Sequence, residues 1–215
     1  MRSRRNALGG RVRHLVTGLL AMSLLAAASS AAAAPLDSVL APCGQDLSQP
    51  FLPWLDPASY AFAPNGGLES GLGGWSSSGV ARAVSGNESY AVHSRSDGYS
   101  LSLSPGASAT TPSICIGTLS PAARLFVRNP GSPLSTLRVE VLYTTVLGIR
   151  ASAPVAAIGA SASWQPTVPL PVLANALGLP LLTGGSTQIA LRFTSQGLGG
   201  SWQLDDVYVD PYKGT

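Results

Sequence analysis

Two stretches, Asn65-Gly66-Gly67-Leu68-Glu69-Ser70-Gly71 running into Trp75, and Trp202-Gln203-Leu204-Asp205-Asp206-Val207-Tyr208-Val209-Asp210 near the C-terminus, bracket a train of short alternating segments. In Leu137–Thr144, Leu137, Val139, Val141 and Tyr143 alternate with Arg138, Glu140, Leu142 and Thr144. In Gln188–Thr194, Ile189, Leu191 and Phe193 alternate with Gln188, Ala190, Arg192 and Thr194. Tyr99–Ser104 and Arg124–Arg128 repeat the pattern, and weaker strands are expected at Val80–Val84, Tyr90–His93, Ile114–Ile116 and Trp164–Val168. Period two is the signature of a strand with one buried face. Turn signals such as Asp97-Gly98, Asn129-Pro130-Gly131 and Gly184-Gly185 separate the segments. The spacing predicts an all-β antiparallel sandwich of about eight strands in two sheets. A short helix is expected only at Val172–Leu177, hemmed in by prolines, and Ala151–Ala162 reads as loop with at most one strand.

The N-terminus reads as a leader. Arg2, Arg4, Arg5, Arg11 and Arg13 precede an apolar run from Leu15 to Ala28, and Ala31-Ala32-Ala33 offers a cleavage site. Residues 1–33 are therefore expected to be a signal peptide, with an extracellular mature protein and no membrane span. The leader carries five of the thirteen Lys and Arg, leaving eight against ten acids. The basic balance belongs to the leader, so the mature chain has no electrostatic case for a nucleic-acid partner. Cys43 and Cys115 are an even pair in an exported chain and are expected to form a disulfide. Residues 34–63 carry five prolines, with Pro64 directly after them, together with Phe51, Trp54, Tyr60 and Phe62. They are too apolar for a linker and read as a proline-rich arm packed on a sandwich of residues 64–212.

The two bracketing stretches resemble the first and last strands of the carbohydrate-binding-module type of β-jelly-roll, the galactose-binding-like sandwiches. The resemblance implies a jelly-roll fold and a structural calcium held by Glu69 and an aspartate of the closing strand. Asp205 is favoured and Asp206 is the near alternative. Leu68 stands where the family pattern has an aromatic. Glycines beside a carboxylate also free backbone carbonyls for a hard cation. The alternative is that Glu69 and Asp205 hydrogen-bond strand ends.

A polysaccharide or glycan ligand needs flat aromatics to stack on and polar forks for hydroxyls. Candidates are Trp164, Trp202 and Tyr208 with Arg128 and Arg192, and the alternative for each ring is core packing. Catalysis is short of parts, with His93 the single histidine beyond the leader and no nucleophile-elbow pattern. The expected function is that of a secreted, non-catalytic sandwich binding carbohydrate. An envelope protein mediating protein contacts is the alternative, and a small hydrolase a third reading. The sequence leaves the oligomeric state open.

Overall fold

A computed structural model describes residues 43–117, 121–145, 147–172 and 186–211. The expected leader and residues 173–177 of the expected helix lie outside them. In chain order the strands are β1 (Leu47–Ser48), β2 (Tyr60–Phe62), β3 (Ser76–Ser78), β4 (Ala81–Ser85), β5 (Tyr99–Leu103), β6 (Ser108–Thr110), β7 (Ile114–Gly117), β8 (Ala122–Arg128), β9 (Thr136–Thr144), β10 (Arg150–Ile158), β11 (Gln165–Pro166), β12 (Leu170–Pro171), β13 (Ser186–Gln196) and β14 (Trp202–Asp210). They form two antiparallel sheets. One runs β1-β2-β14-β5-β4, with β8 along the other side of β14 and β11 and β12 beyond it. The second runs β10-β9-β13-β6-β3, with β7 beside β13. This is the jelly-roll sandwich anticipated from the sequence.

The alternation places the core. Leu137, Val139 and Val141 of β9, Ile189, Leu191 and Phe193 of β13, and Ala123, Leu125 and Val127 of β8 meet between the sheets. Trp202 joins them fully buried, its Nε1–H donating to Ser135 Oγ at 2.8 Å. Strand β10 departs furthest from expectation: it runs nine residues from Arg150 into the Ala-rich stretch, and eight of them pair with β9 around a register shift between Pro154 and Ala156. Small side chains gave it little periodic contrast, and its partner strand decides its conformation. Tyr90–His93, expected as a strand, forms turns and bends instead. Asn65–Gly71 is likewise a series of turns rather than a strand.

The first sheet buries both of its faces. On its outer side Phe51, Tyr60, Phe126, Trp164 and Tyr208 form a second, aromatic core. Phe51 stacks on Phe126 at 5.6 Å and meets Tyr60 edge-on at 5.1 Å, within the separations at which rings attract. Arg124 lies over the Phe51 ring at 4.1 Å and donates to Asp56 Oδ2 at 2.6 Å. Burial opposes ionisation of Asp56. The Tyr60 hydroxyl, the Ala58 N–H and Arg124 nonetheless hold its carboxyl below the usual carboxylate range. Two short strands, β1 and β2, fall inside the proline-rich residues that the sequence reads as an arm.

Cys43 and Cys115 are bonded, with Cα atoms 5.7 Å apart across 72 positions. Gln45 Nε2 also donates to the Cys115 carbonyl. Closing a loop of that length removes enough unfolded-chain entropy to stabilise the fold by about 4 kcal/mol. Denatured, unreduced protein should show no free thiol on titration. Reduction should lower the unfolding free energy by about that amount in urea melts.

Candidate functional site

The closing strand is interrupted where the two candidate aspartates sit. Residues Trp202–Leu204 pair with β5 and Tyr208–Val209 pair with β2, while β8 runs along the opposite edge. The register with β8 shifts between Asp205 and Tyr208, and Asp206 has φ 47. This is a β-bulge, one extra residue in the strand. It puts Leu204 and Val207 both in the central core, where uninterrupted alternation would send them to opposite faces.

The entry segment fills the gap. Ala63 N–H donates to the Val207 carbonyl at 2.9 Å, and Val207 N–H donates to the Gly66 carbonyl at 3.3 Å. A Cβ on Gly66 would stand 2.8 Å from the Val207 oxygen, so only glycine fits. A Cβ on Gly67 would reach to 3.2 Å from Asp206 Oδ1.

Four acids tie the loop of residues 86–98 to this gap. Asp205 Oδ2 accepts from Glu88 N–H at 2.7 Å and Asp205 Oδ1 from Asp206 N–H at 2.9 Å. Asp206 Oδ2 accepts from His93 N–H at 3.1 Å. The Glu88 carboxylate takes the Tyr90 and Val92 N–H groups. Glu69 Oε1 takes those of Gly98 and Tyr99, both at 2.9 Å. Such a bond is charge-assisted and worth about 1.5–3 kcal/mol where the accepting carboxyl is ionised, and about 1 kcal/mol where it is neutral. His93 Nδ1 lies 2.6 Å from Asp97 Oδ2, and its ring stacks on Phe62 at 3.9 Å and 7°.

Two buried oxygens here are left over, Asn87 Oδ1 in the loop and one at the gap itself. Asp206 Oδ1 is buried and accepts no hydrogen bond. Asp206 also belongs to a group in which one ligand atom from each of His93, Asp97 and Asp206 lies within 4.8 Å of the others. Of the three residues the sequence offered as metal ligands, the structure brings only Asp206 into this group. Glu69 spends Oε1 on two backbone N–H groups, and Asp205 spends both oxygens on its own. His93 and Asp97 were missed as ligands because the sequence reads them as a strand end and a turn.

Burial, and then the neighbouring Asp206, push the Asp205 carboxyl up to about 9. Burial, with Glu88 opposing ionisation further, pushes Asp206 up to about 7. Burial beside the same acids also raises the Tyr208 phenol.

The sugar-site candidates do not converge. Trp202 is in the central core, and Tyr208, 2% exposed, is in the aromatic core, so neither offers a stacking face. Trp164 is 8% exposed, with the Arg128 guanidinium 4.9 Å from its ring centre and Arg128 Nε donating to Gln203 Oε1. Arg192 lies on the outer face of the other sheet. There it pairs across strands with Glu140, donating from Nε to Oε2 at 2.9 Å, while Arg138 donates to Oε1 at 2.8 Å. Beside this triad is a hollow of about 380 Å³, with Leu142, Arg150, Gln188 and Ala190 among its lining residues. Leu142, Ala190 and Arg150 carried no motif that could have singled them out.

No protein-family model matches this chain, and no curated protein matches it in sequence. Among solved structures it is similar to the enzymatically active domain of tailspike protein 4 of bacteriophage CBA120, at TM-score 0.50 and 13% identity over 68% of this chain. The match spans 21% of that protein's length. It is also similar to TmCBM61, solved with β-1,4-galactotriose, at TM-score 0.42 and 14% identity, covering 69% of this chain and 96% of that one. A third is the family 11 carbohydrate-binding module of Clostridium thermocellum, solved with a β-1,3-1,4-mixed-linked tetrasaccharide, at TM-score 0.43 and 14% identity, covering 65% and 89%. At such identities the likeness is one of fold.

The raised carboxyls set a pH dependence. The folded values exceed the unfolded value of 3.8, so the folded state holds more protons between about 4 and 9. In chelator, the Tm should therefore fall as pH rises through that window. Asp205→Asn, which keeps a neutral side chain throughout, should flatten the slope in calorimetric scans.

Proposed function

We propose that this domain is an exported, non-catalytic glycan-binding module whose ligand lies on the outer face of the six-stranded sheet. The observation that carries the reading is the difference between the two outer faces. The first sheet's outer face is largely covered by the aromatic core, with a hollow of about 420 Å³ left beside Phe62, His93 and Tyr208, whereas that of β9 and β13 presents hydroxyl, amide and guanidinium groups around the 380 Å³ hollow. A concave site with a small apolar floor and a few convergent polar groups is the ordinary form of a ligand pocket. His93, the residue a hydrolase would need, pairs Nδ1 with Asp97 as a triad histidine would, but its ring is stacked on Phe62 and, among the described residues, no serine or threonine hydroxyl pairs with it. Among the described residues no helix is long and apolar enough to cross a membrane.

A structural cation belongs to the same reading, on the other sheet. The buried, unpartnered Asp206 Oδ1 facing Asp97 is the feature that fits one, since two close carboxylates repel without a charge between them. Two carboxylates have the hard-oxygen character that calcium takes. A His93 ring nitrogen, the third donor, departs from an all-oxygen set and also suits zinc. Bound there, the ion would supply charge compensation and tie the loop of residues 86–98 to β14.

A glycan array with the mature protein tests the first part. Ala190→Phe, which fills the hollow, should weaken the retained glycan about tenfold or more with an unchanged Tm. A flat array with recovery of a protein partner would instead favour the protein-contact alternative. For the second part, calcium at about a hundredfold its Kd should stabilise the fold by about 2.7 kcal/mol. Asp206→Asn should remove the response. A rise with zinc and none with calcium would reassign the ion.

A further inference from the structure

Resting on the glycan-binding reading, we infer that the ligand is an anionic polysaccharide bearing carboxylates, gripped by Arg138, Arg150 and Arg192. Three features of the outer face of β9, β10 and β13 lead there.

The first is what the face lacks. Of the aromatic rings on these strands, Phe193 is in the core, and Tyr143, half-buried on the inward phase and packed against that core, also lines the hollow. Sugar C–H faces therefore meet no exposed row of rings, and recognition falls mainly to polar groups. The same scarcity argues against single-stranded nucleic acid, whose binding sites stack successive bases on aromatics.

The second is charge. The face carries three arginines against Glu140, which is 6% exposed and has both oxygens occupied by Arg138 and Arg192. The chain beyond its leader has the opposite balance, with eight Lys and Arg against ten acids. The positive face is thus a local feature. It stands apart from Asp205, Asp206, Glu88 and Asp97, which the fold collects at the gap in the first sheet.

The third is preorganisation and spacing. Glu140 holds the two guanidiniums in place, and their side chains remain 41% and 34% exposed, with further N–H donors to spare. Arg150 is exposed and makes no ion pair among the described residues. A guanidinium fork matches a carboxylate bidentately. Arg150 pairs with Thr144, six positions along β9 from Arg138, so the cations span about 20 Å at the rise of a strand. Between them lie Leu142 and Ala190 as a low apolar floor. Charges so spread along one direction suit a linear polymer with repeated carboxylates rather than a single sugar acid.

Affinity electrophoresis and calorimetry of the full mature chain in polygalacturonate and alginate test this. Neutral galactan and mixed-linked glucan, dextran sulfate and single-stranded DNA serve as the other arms, all at about 0.15 M salt. Polyuronate should bind most tightly and weaken as salt is raised. Arg192→Gln and Arg150→Gln should each weaken it about tenfold, the loss of one charge-assisted contact. Arg150 lies at an exposed strand end, so its replacement keeps the test valid if Arg192→Gln unfolds. Equal binding of uronate, sulfate and DNA would overturn the inference in favour of nonspecific polyanion attraction. Tight binding of a neutral glycan, unmoved by either replacement, would overturn it while leaving the glycan-binding reading intact. Retention of no glycan of either kind would remove both.

Discussion

The bulge at Asp205–Asp206 is the constraint on which the first sheet depends. A strand of nine residues cannot pair with β5 and β2 in succession on one edge without a break between them. The extra residue makes that break, and with it a hole in the ladder where backbone groups would go unpaired. The entry turn closes part of the hole through Gly66 and Val207. Carboxylates close the rest, with Asp205 and Asp206 accepting from the Glu88 and His93 N–H groups. The loop that results has little regular structure, yet its backbone is fixed by carboxyl groups at five of its N–H groups. The cost is concentrated negative charge in a buried place, which is why the acids there resist ionisation.

That cost separates the molecule electrically. Acids gather at the first sheet, and the arginines of the second sheet's outer face answer to a single buried glutamate. The aromatic core adds a second asymmetry. Phe51 and Trp54 pack with Phe126 and Tyr208, so Arg124 and Phe126, outward by alternation, are buried. With one outer face largely covered by the protein's own side chains, the other carries the open, positively charged surface. Charge and covering segment thus point to the same face, where Tyr143 is the aromatic side chain among the residues lining the hollow.

The sequence carried the strands with strong alternation, β5, β8, β9 and β13, because large apolar and polar side chains mark opposite faces. It could not carry β10, whose alanines look alike on both sides and whose pairing with β9 is a tertiary fact. Nor could it carry the bulge. Strict alternation put Asp205 with Val207 and Asp206 with Leu204, and the extra residue undoes that phase. The fate of the aromatics was equally hidden. Trp202 and Tyr208 sit on opposite faces of one strand, and both faces turned out to be interiors.

The site residues were legible in proportion to how far they act through neighbours in the chain. Asp206 was marked by the closing motif. His93 and Asp97 reach it from 113 and 109 positions away only because Glu88 and Glu69 fold the intervening loop back, and nothing local announces that. Glu140 is the counterpart on the other sheet. By sequence it is one more outward residue of an alternating strand, an ordinary cross-strand partner. Its meaning comes from being buried between two cations that it cannot neutralise in full. A buried acid that is paired twice over fixes the direction of both partners, and it is that fixed direction, rather than the mere count of arginines, that makes the face capable of choosing among ligands.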